Sequence, residues 1–340
     1  MALLKVRDLH TCFRTEGGIV RAVNGVSYTL DRAKTLGIVG ESGSGKSVSA
    51  MSILRLLDTN GFIDGGEILF DGEDLREASE SRMRRIRGNR ISVIFQEPMT
   101  SLNPVFSVGR QLCEPYLIHQ GMTKRAAKAA AEEMLGAVHI PSPRTMLRQY
   151  PHQLSGGMRQ RVMIAMALAC RPDVLIADEP TTALDVTVQA QILTLMKQLQ
   201  RERGTAILFI SHDLGVIREM ADDVIVMYCG QVVEAAPADR LFSDEGMLHP
   251  YTEGLMRAIP RPTKQGRGKL IPIPGAVPHP LELPKGCKFS PRCPYATAYC
   301  VEHEPQLLEV SGGRRVRCHY PTKEERQSEE HRKAVIHHPS

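Results

Sequence analysis

Residues 40–47 read GESGSGKS, and both the residue types and their spacing suit a phosphate group. Gly40 and Gly45 bracket a turn, and Lys46 and Ser47 open an apolar helical run, VSAMSILRLL. Glycines let the backbone aim its N–H groups at an anion, and a helix start adds the positive end of its dipole. Lys46 is placed to reach the β- and γ-phosphates of a nucleotide, and Ser47 to offer a hydroxyl to Mg²⁺. The whole run of Gly40, Glu41, Ser42, Gly43, Ser44, Gly45, Lys46 and Ser47 is therefore read as nucleotide-binding. A second chemical pair ends the stretch DVLIADE, residues 173–179. Asp178 can hold Mg²⁺ through water, and Glu179 can orient and deprotonate a water that attacks the γ-phosphate.

Elements must carry these groups to one place. TLGIVG (35–40), ISVIF (91–95), DVLIA (173–177) and AILFI (206–210) are short β-branched runs that read as buried strands. They alternate with helical patterns up to about residue 250, as in α/β proteins with a mostly parallel sheet. Ligands of such sheets bind at the carboxyl ends of the strands, so the loops after these four runs are expected to converge. Between about 105 and 160 helical composition takes over, as in TKRAAKAAAEEMLGAV. Proline density rises after HPYTEGLMRAIP (249–260), marking a linker and accessory segment. The last twenty residues are too polar to fold alone.

Composition narrows the classes. A chain of 340 residues, 42% hydrophobic and 24% charged, can bury a large core and carry appendages. The start MALLKVRDLHTCF has no apolar stretch of the secretory kind, and the longest apolar run, VMIAMALAC, has nine residues against the roughly twenty needed to span a bilayer. A net charge of +5, with the two signs interleaved, argues against nucleic acid as a partner. The basic run SRMRRIRGNR (81–90) is read as a solvated helix face.

Four of the eight cysteines cluster late: Cys287, Cys293, Cys300 and Cys318, spaced C-x5-C-x6-C-x17-C. A reducing compartment disfavours disulfides and turns such a cluster toward metal chemistry. Four thiolates suit an iron–sulfur cluster. Zinc, with His303 or His319 replacing a thiolate, and simple packing are the other readings; no C-x2-C knuckle favours zinc. Pro284, Pro291 and Pro294 stiffen the loops. Cys12, Cys113, Cys170 and Cys229 read as ordinary small buried residues.

LSGGMRQR (154–161) adds a specific resemblance: it is similar to the signature motif of ABC ATPases. Gln96 in FQEPMTSLNP resembles that family's Q-loop, Asp185 in ALD its D-loop, and His212 in ISHDLG its switch histidine, all in family order. The resemblance implies an α/β fold with a P-loop (RecA-like) ABC ATPase core, an antiparallel β subdomain, a helical subdomain at about 97–160 and a small Cys-containing C-terminal accessory segment. It divides the chain into an ATPase domain (1–258), an accessory domain (259–320) and a disordered tail (321–340). It also implies that Ser155, Gly156, Gly157 and Gln160 close over ATP bound to a second ATPase in a head-to-tail dimer. Ser47, Gln96 and Asp178 would hold Mg²⁺, and Glu179, His212 and Gln96 would form the catalytic set. Phe13 would stack on adenine. YPHQLSGGM, IADEPTTALDV, LHPYTEGLMRAIP and IPIPG further resemble ATPase subunits of dipeptide, oligopeptide and nickel importers. That branch implies import powered by ATP hydrolysis at the cytoplasmic face of the inner membrane. Its expected partners are a second, different ATPase chain, two transmembrane permease subunits and an extracytoplasmic substrate-binding protein. It also implies a [4Fe–4S] cluster at the four late cysteines, holding the C-terminal segment together. The alternative is a soluble ABC ATPase of nucleic-acid or cluster-assembly work, which would lack this tail.

Overall fold

The structure, a computed structural model, describes residues 2–96, 101–181, 186–243, 248–258, 262, 263, 266, 267, 272–328 and 335. In chain order, the strands that position the site are β1 (Ala2–Thr15), β2 (Gly18–Asp31), β3 (Thr35–Val39), β4 (Gly61–Phe70), β5 (Ile91–Ile94), β6 (Val174–Asp178), β7 (Ala206–Ile210), β8 (Asp223–Tyr228), β9 (Gln231–Pro237) and β10 (Arg315–Val316). The helices are α1 (Lys46–Ile53), α2 (Val108–His119), α3 (Lys124–Ala137), α4 (Gly156–Leu168), α5 (Leu214–Met220) and α6 (Pro250–Arg257). The chain divides into two compact units, one of residues 1–4, 30–35 and 69–210, the other of 5–29, 36–68 and 211–340.

In the first unit β5, β6 and β7 run parallel, with Ile94 opposite Ala177 and Asp178 opposite Ile210. Every residue of β6 and β7 is buried. That is why these strands read as continuous apolar runs: parallel strands are covered on both faces. The helices of this unit are set by local signals. Ser107 and Thr123 cap α2 and α3 by accepting from the N–H groups of Arg110 and Ala126. Ala127, Ala131, Met134 and Leu135 form the buried stripe of α3, at helical spacing. The basic run 81–90 is matched by carboxylates rather than merely solvated. Arg82 grips Glu73 with Nε and Nη2, Arg87 pairs with Glu80, and Arg90 bonds both Asp71 and Asp173.

In the second unit β3 lies parallel to β8, β8 antiparallel to β9, and β9 antiparallel to β10, with Glu234 opposite Val316. β1 sits between β2 and β4 in a separate sheet. Two residues, Glu16 and Gly17, join β1 to β2, a connection that only an antiparallel pair allows. The tail expected to be disordered from residue 321 is ordered where it is described. Lys323–Gln327 is helical, capped reciprocally by Thr322 and Glu325. Its Arg326, 2% exposed, pairs with Glu253 of α6 and donates to the Leu248 carbonyl. A polar segment orders here because its charge finds a buried partner, which composition does not reveal. Among the described residues no helix is long and apolar enough to cross a membrane.

Candidate nucleotide site

β3 is buried along its whole length and delivers the chain into the loop 40–47. Gly40 (φ 155°) and Gly45 (φ 95°) hold backbone conformations that side chains disfavour, and a Cβ at either would lie 2.2 Å from the Met227 carbonyl oxygen or 2.3 Å from that of Ala22. A Cβ at Gly43 would meet nothing within 4 Å, so the loop is open on that side. Lys46 opens α1 and is buried, its Nζ donating to the carbonyls of Gly40 (2.8 Å) and Glu41 (2.9 Å). The Ser44 hydroxyl is buried and has no hydrogen-bond partner. A turn with an ammonium folded into it and an orphaned hydroxyl fits an anionic phosphate chain. His212, in the same unit, is exposed on a turn braced on both sides. Ser211 N–H donates to the Ile38 carbonyl, and Asp213 caps α5 by accepting from the N–H groups of Gly215 and Val216.

Gln96, Ser155–Gly157, Gln160, Asp178 and Glu179 belong to the first unit. Because Ile94 faces Ala177, the residues two positions on, Gln96 and Glu179, leave β5 and β6 side by side. Gln96 Nε2 donates to Glu179 Oε2 at 3.1 Å. Asp178 is buried at the end of β6, and Glu179 turns out of the strand at φ 46° with its N–H donating to the Ile210 carbonyl. Within this unit the amide oxygen of Gln96 and the carboxylate of Asp178 are hard oxygen donors of the kind Mg²⁺ takes. Ser155 caps α4 by accepting from Met158 N–H, and Ser155 and Gly156 are exposed. The first N–H groups of that helix are thus presented outward, as a second anion cradle requires.

Two expectations change. Gln160, assigned to a partner's ATP, is turned inward: it is 1% exposed and its Nε2 donates to the Pro180 carbonyl, next to Glu179. It lies on the buried face of α4 with Val162, Met163 and Ile164, so it braces the Glu179 turn instead. Phe13 is half-buried in β1 with its ring against Gly61, where a Cβ would be 2.8 Å from Cε1. Asp185 lies outside the described residues. The second change is the metal centre. Among the described residues no group of three or more His, Cys, Asp and Glu side chains comes together to hold a metal ion. This overturns the [4Fe–4S] cluster and its zinc alternative. Cys287, Cys293, Cys300 and Cys318 are free thiols that line one small cavity together with Phe289, Tyr295 and Tyr320. Burial pushes the thiol of Cys287 up to about 11 and that of Cys318 to about 12, and raises Cys293 as well. Spacing brought the four to one cavity, but aromatic packing is what surrounds them there.

Two side chains that sequence reading did not single out touch the phosphate loop. Tyr251 Oη accepts from Glu41 N–H at 2.7 Å, and Arg292 grips the Glu41 carboxylate at 2.6 and 3.0 Å. Separations of 210 and 251 residues leave no local signal to find them.

Comparison with known proteins agrees with this geometry. Residues 23–182 match the ABC transporter family, and residues 233–300 match the oligopeptide/dipeptide transporter C-terminal region. The dipeptide transport ATP-binding protein DppD of Escherichia coli is 49% identical over 321 residues, 94% of this chain and 97% of that protein. The oligopeptide transport ATP-binding protein OppD of Salmonella typhimurium is 51% identical over 322 residues, 95% of each. The dimeric post-hydrolysis structure of the ATP-binding cassette MJ0796 with ADP and Pi matches with a TM-score of 0.63 and 27% identity, covering 69% of this chain and 98% of that one. A phosphate loop, a capped signature helix and an acidic strand end define a nucleotide hydrolase of the cassette class. This chain belongs to the ABC transporter family, as one of its ATP-binding subunits. It is a transport ATPase, converting ATP and water to ADP and phosphate in step with solute translocation.

Proposed function

We propose that the transported solute is a di- or oligopeptide and that this chain powers its import. The observation that carries the reading is likeness along nearly the whole chain to peptide-transport ATP-binding proteins, extending through the C-terminal region at 233–300. The chain works peripherally on the cytoplasmic face of the inner membrane. Its partners are a second ATPase of different sequence, two transmembrane permease subunits and an extracytoplasmic substrate-binding protein. Residues 1–258 act as the ATPase domain and 259–320 as the accessory domain.

Each site residue has a part in one cycle. Gly40–Ser47 bind the nucleotide's phosphates, with Lys46 exchanging its two carbonyl partners for phosphate oxygens. Ser47, Gln96 and Asp178 hold Mg²⁺, which neutralises phosphate charge when bound. Glu179, oriented by Gln96, takes the proton of the attacking water, and His212 contacts the γ-phosphate. The exposed start of α4, with Ser155, Gly156 and Gly157, closes on the partner's ATP and opens after hydrolysis.

Reconstitution of the chain with its permease, partner ATPase and binding protein in vesicles tests this. ATP-dependent uptake of a labelled dipeptide is expected, abolished by Lys46→Ala. Uptake of a nickel chelate, glutathione or a sugar, with no peptide transported, would overturn the substrate assignment.

A further inference from the structure

Every polar group of Glu41 is committed. Its carbonyl accepts from Lys46 Nζ and from Ser44 N–H (3.2 Å), its N–H donates to Tyr251 Oη, and its carboxylate receives both terminal nitrogens of Arg292. Lys46 and the phosphate loop are thereby joined, through one residue, to side chains of α6 and of the cysteine-bearing segment.

Those side chains are themselves fixed. The Arg292 side chain is 3% exposed and makes three further bonds, from Nε to the Pro274 carbonyl, Nη1 to Tyr228 Oη and Nη2 to the Ile273 carbonyl. Its guanidinium also lies 5.9 Å from the ring of Tyr228 and 6.0 Å from that of Phe289. Tyr251 is fully buried, with ring centroids of Tyr228 at 4.6 Å and Phe289 at 5.4 Å. The rings of Tyr228 and Phe289 thus back both groups that hold Glu41.

We propose that Arg292 and Tyr251 are positioning residues of the nucleotide site, which hold the phosphate loop through Glu41 so that the C-terminal segment sets ATP affinity. The inference rests on reading residues 40–47 as the ATP loop. A loop with three glycines at positive φ loses much conformational freedom when it closes around phosphates. Ordering it in the free protein removes that cost from binding. Glu41 is the handle: it stands between flexible positions and is long enough to be gripped from outside the loop. Arginine suits the grip because its planar fork meets both carboxylate oxygens at once, where an ammonium is a point charge.

The test uses the purified full chain, with Mg-ATP binding and steady-state hydrolysis measured for Glu41→Gln, Arg292→Met, Arg292→Lys and Tyr251→Phe. Arg292→Met and Glu41→Gln are each expected to raise the ATP dissociation constant about tenfold, the scale of one lost charge-assisted contact. The effect should fall on KM rather than on kcat, with Arg292→Lys recovering part of it. The double variant Glu41→Gln/Arg292→Met should bind no more weakly than the worse single one, because both remove one linkage. Arg292→Met that melts earlier yet binds ATP within about twofold of the parent would make the residue merely structural and overturn the proposal. Additive losses in the double variant would overturn it too. Glu41→Gln, whose parent side chain is 29% exposed, keeps the test open if Arg292→Met fails to fold. Lys46→Ala separates the two levels: if it binds ATP like the parent, the reading of the loop fails, whereas normal Arg292→Met beside a crippled Lys46→Ala removes only the coupling.

Discussion

Glu234→Ala should be among the most damaging single substitutions outside the nucleotide loop. The side chain is fully buried on β9, where Oε1 accepts from Leu248 N–H (2.9 Å) and from Arg314 Nη2 (3.3 Å), and Oε2 accepts from His249 N–H (2.9 Å). Arg314 is itself only 4% exposed. Removing one member of a buried ion pair costs about 3–5 kcal/mol, because the other charge has already given up its water. Two N–H groups robbed of their acceptor add roughly 1 kcal/mol each unless water enters. A loss of about 5 kcal/mol is expected, against roughly 5–15 kcal/mol for the whole stability of a typical domain. The exposed pair Arg7–Glu67, 3.1 Å apart, supplies the control: Glu67→Ala should cost less than about 1 kcal/mol, since water screens it. Urea unfolding followed by circular dichroism measures both. ATP affinity should fall with Glu234→Ala as well, because His249 caps the helix that carries Tyr251. Equal midpoints for the Glu234 and Glu67 variants would refute the reasoning, since the two pairs differ in burial and in the two N–H groups that only Glu234 accepts.

Glu179→Gln keeps the Gln96 contact in shape but removes the base, so ATP should still bind while turnover falls about 10²–10⁴-fold; single-turnover hydrolysis at the parental rate would rule out this assignment. The thiols of Cys287 and Cys318, raised from 9 to about 11 and 12, should resist alkylation at pH 8 in the native chain and react once urea unfolds it. Their sign follows from the raised value: the stability they contribute is complete below pH 9 and is lost as pH rises toward 11 to 12, which unfolding midpoints at pH 8 and 10 will register. His249 runs the other way, lowered from 6.5 to about 3 first by burial and then by Arg326. Below pH 6.5 the unfolded chain takes a proton the folded one refuses, costing about 1.4 kcal/mol per pH unit, and His249→Asn should flatten that acid slope.

Sequence alone was sufficient for the glycine-rich turn at 40–47, the acidic strand end, the capped helix start at 155 and the four buried strands. β3, β5, β6 and β7 fall within a residue or so of TLGIVG, ISVIF, DVLIA and AILFI. These features are local. A glycine must sit where φ is positive, a serine must sit where a helix begins, and a doubly covered strand must be apolar throughout, so each leaves its mark within a few positions. What only the tertiary structure decided depends on residues far apart in the chain. Gln160 lay inside a recognised motif, yet packing turned it inward to Pro180. Cysteine spacing suggested a metal centre, whereas ligation depends on how thiols are aimed, and the fold surrounds them with aromatic rings. Arg326 sat in a polar tail whose order rests on Glu253, 73 residues away. Tyr251 and Arg292 reach Glu41 across 210 and 251 residues. No periodicity or spacing encodes such a meeting, because it is fixed by where β3, α6 and the C-terminal segment end up when the core packs.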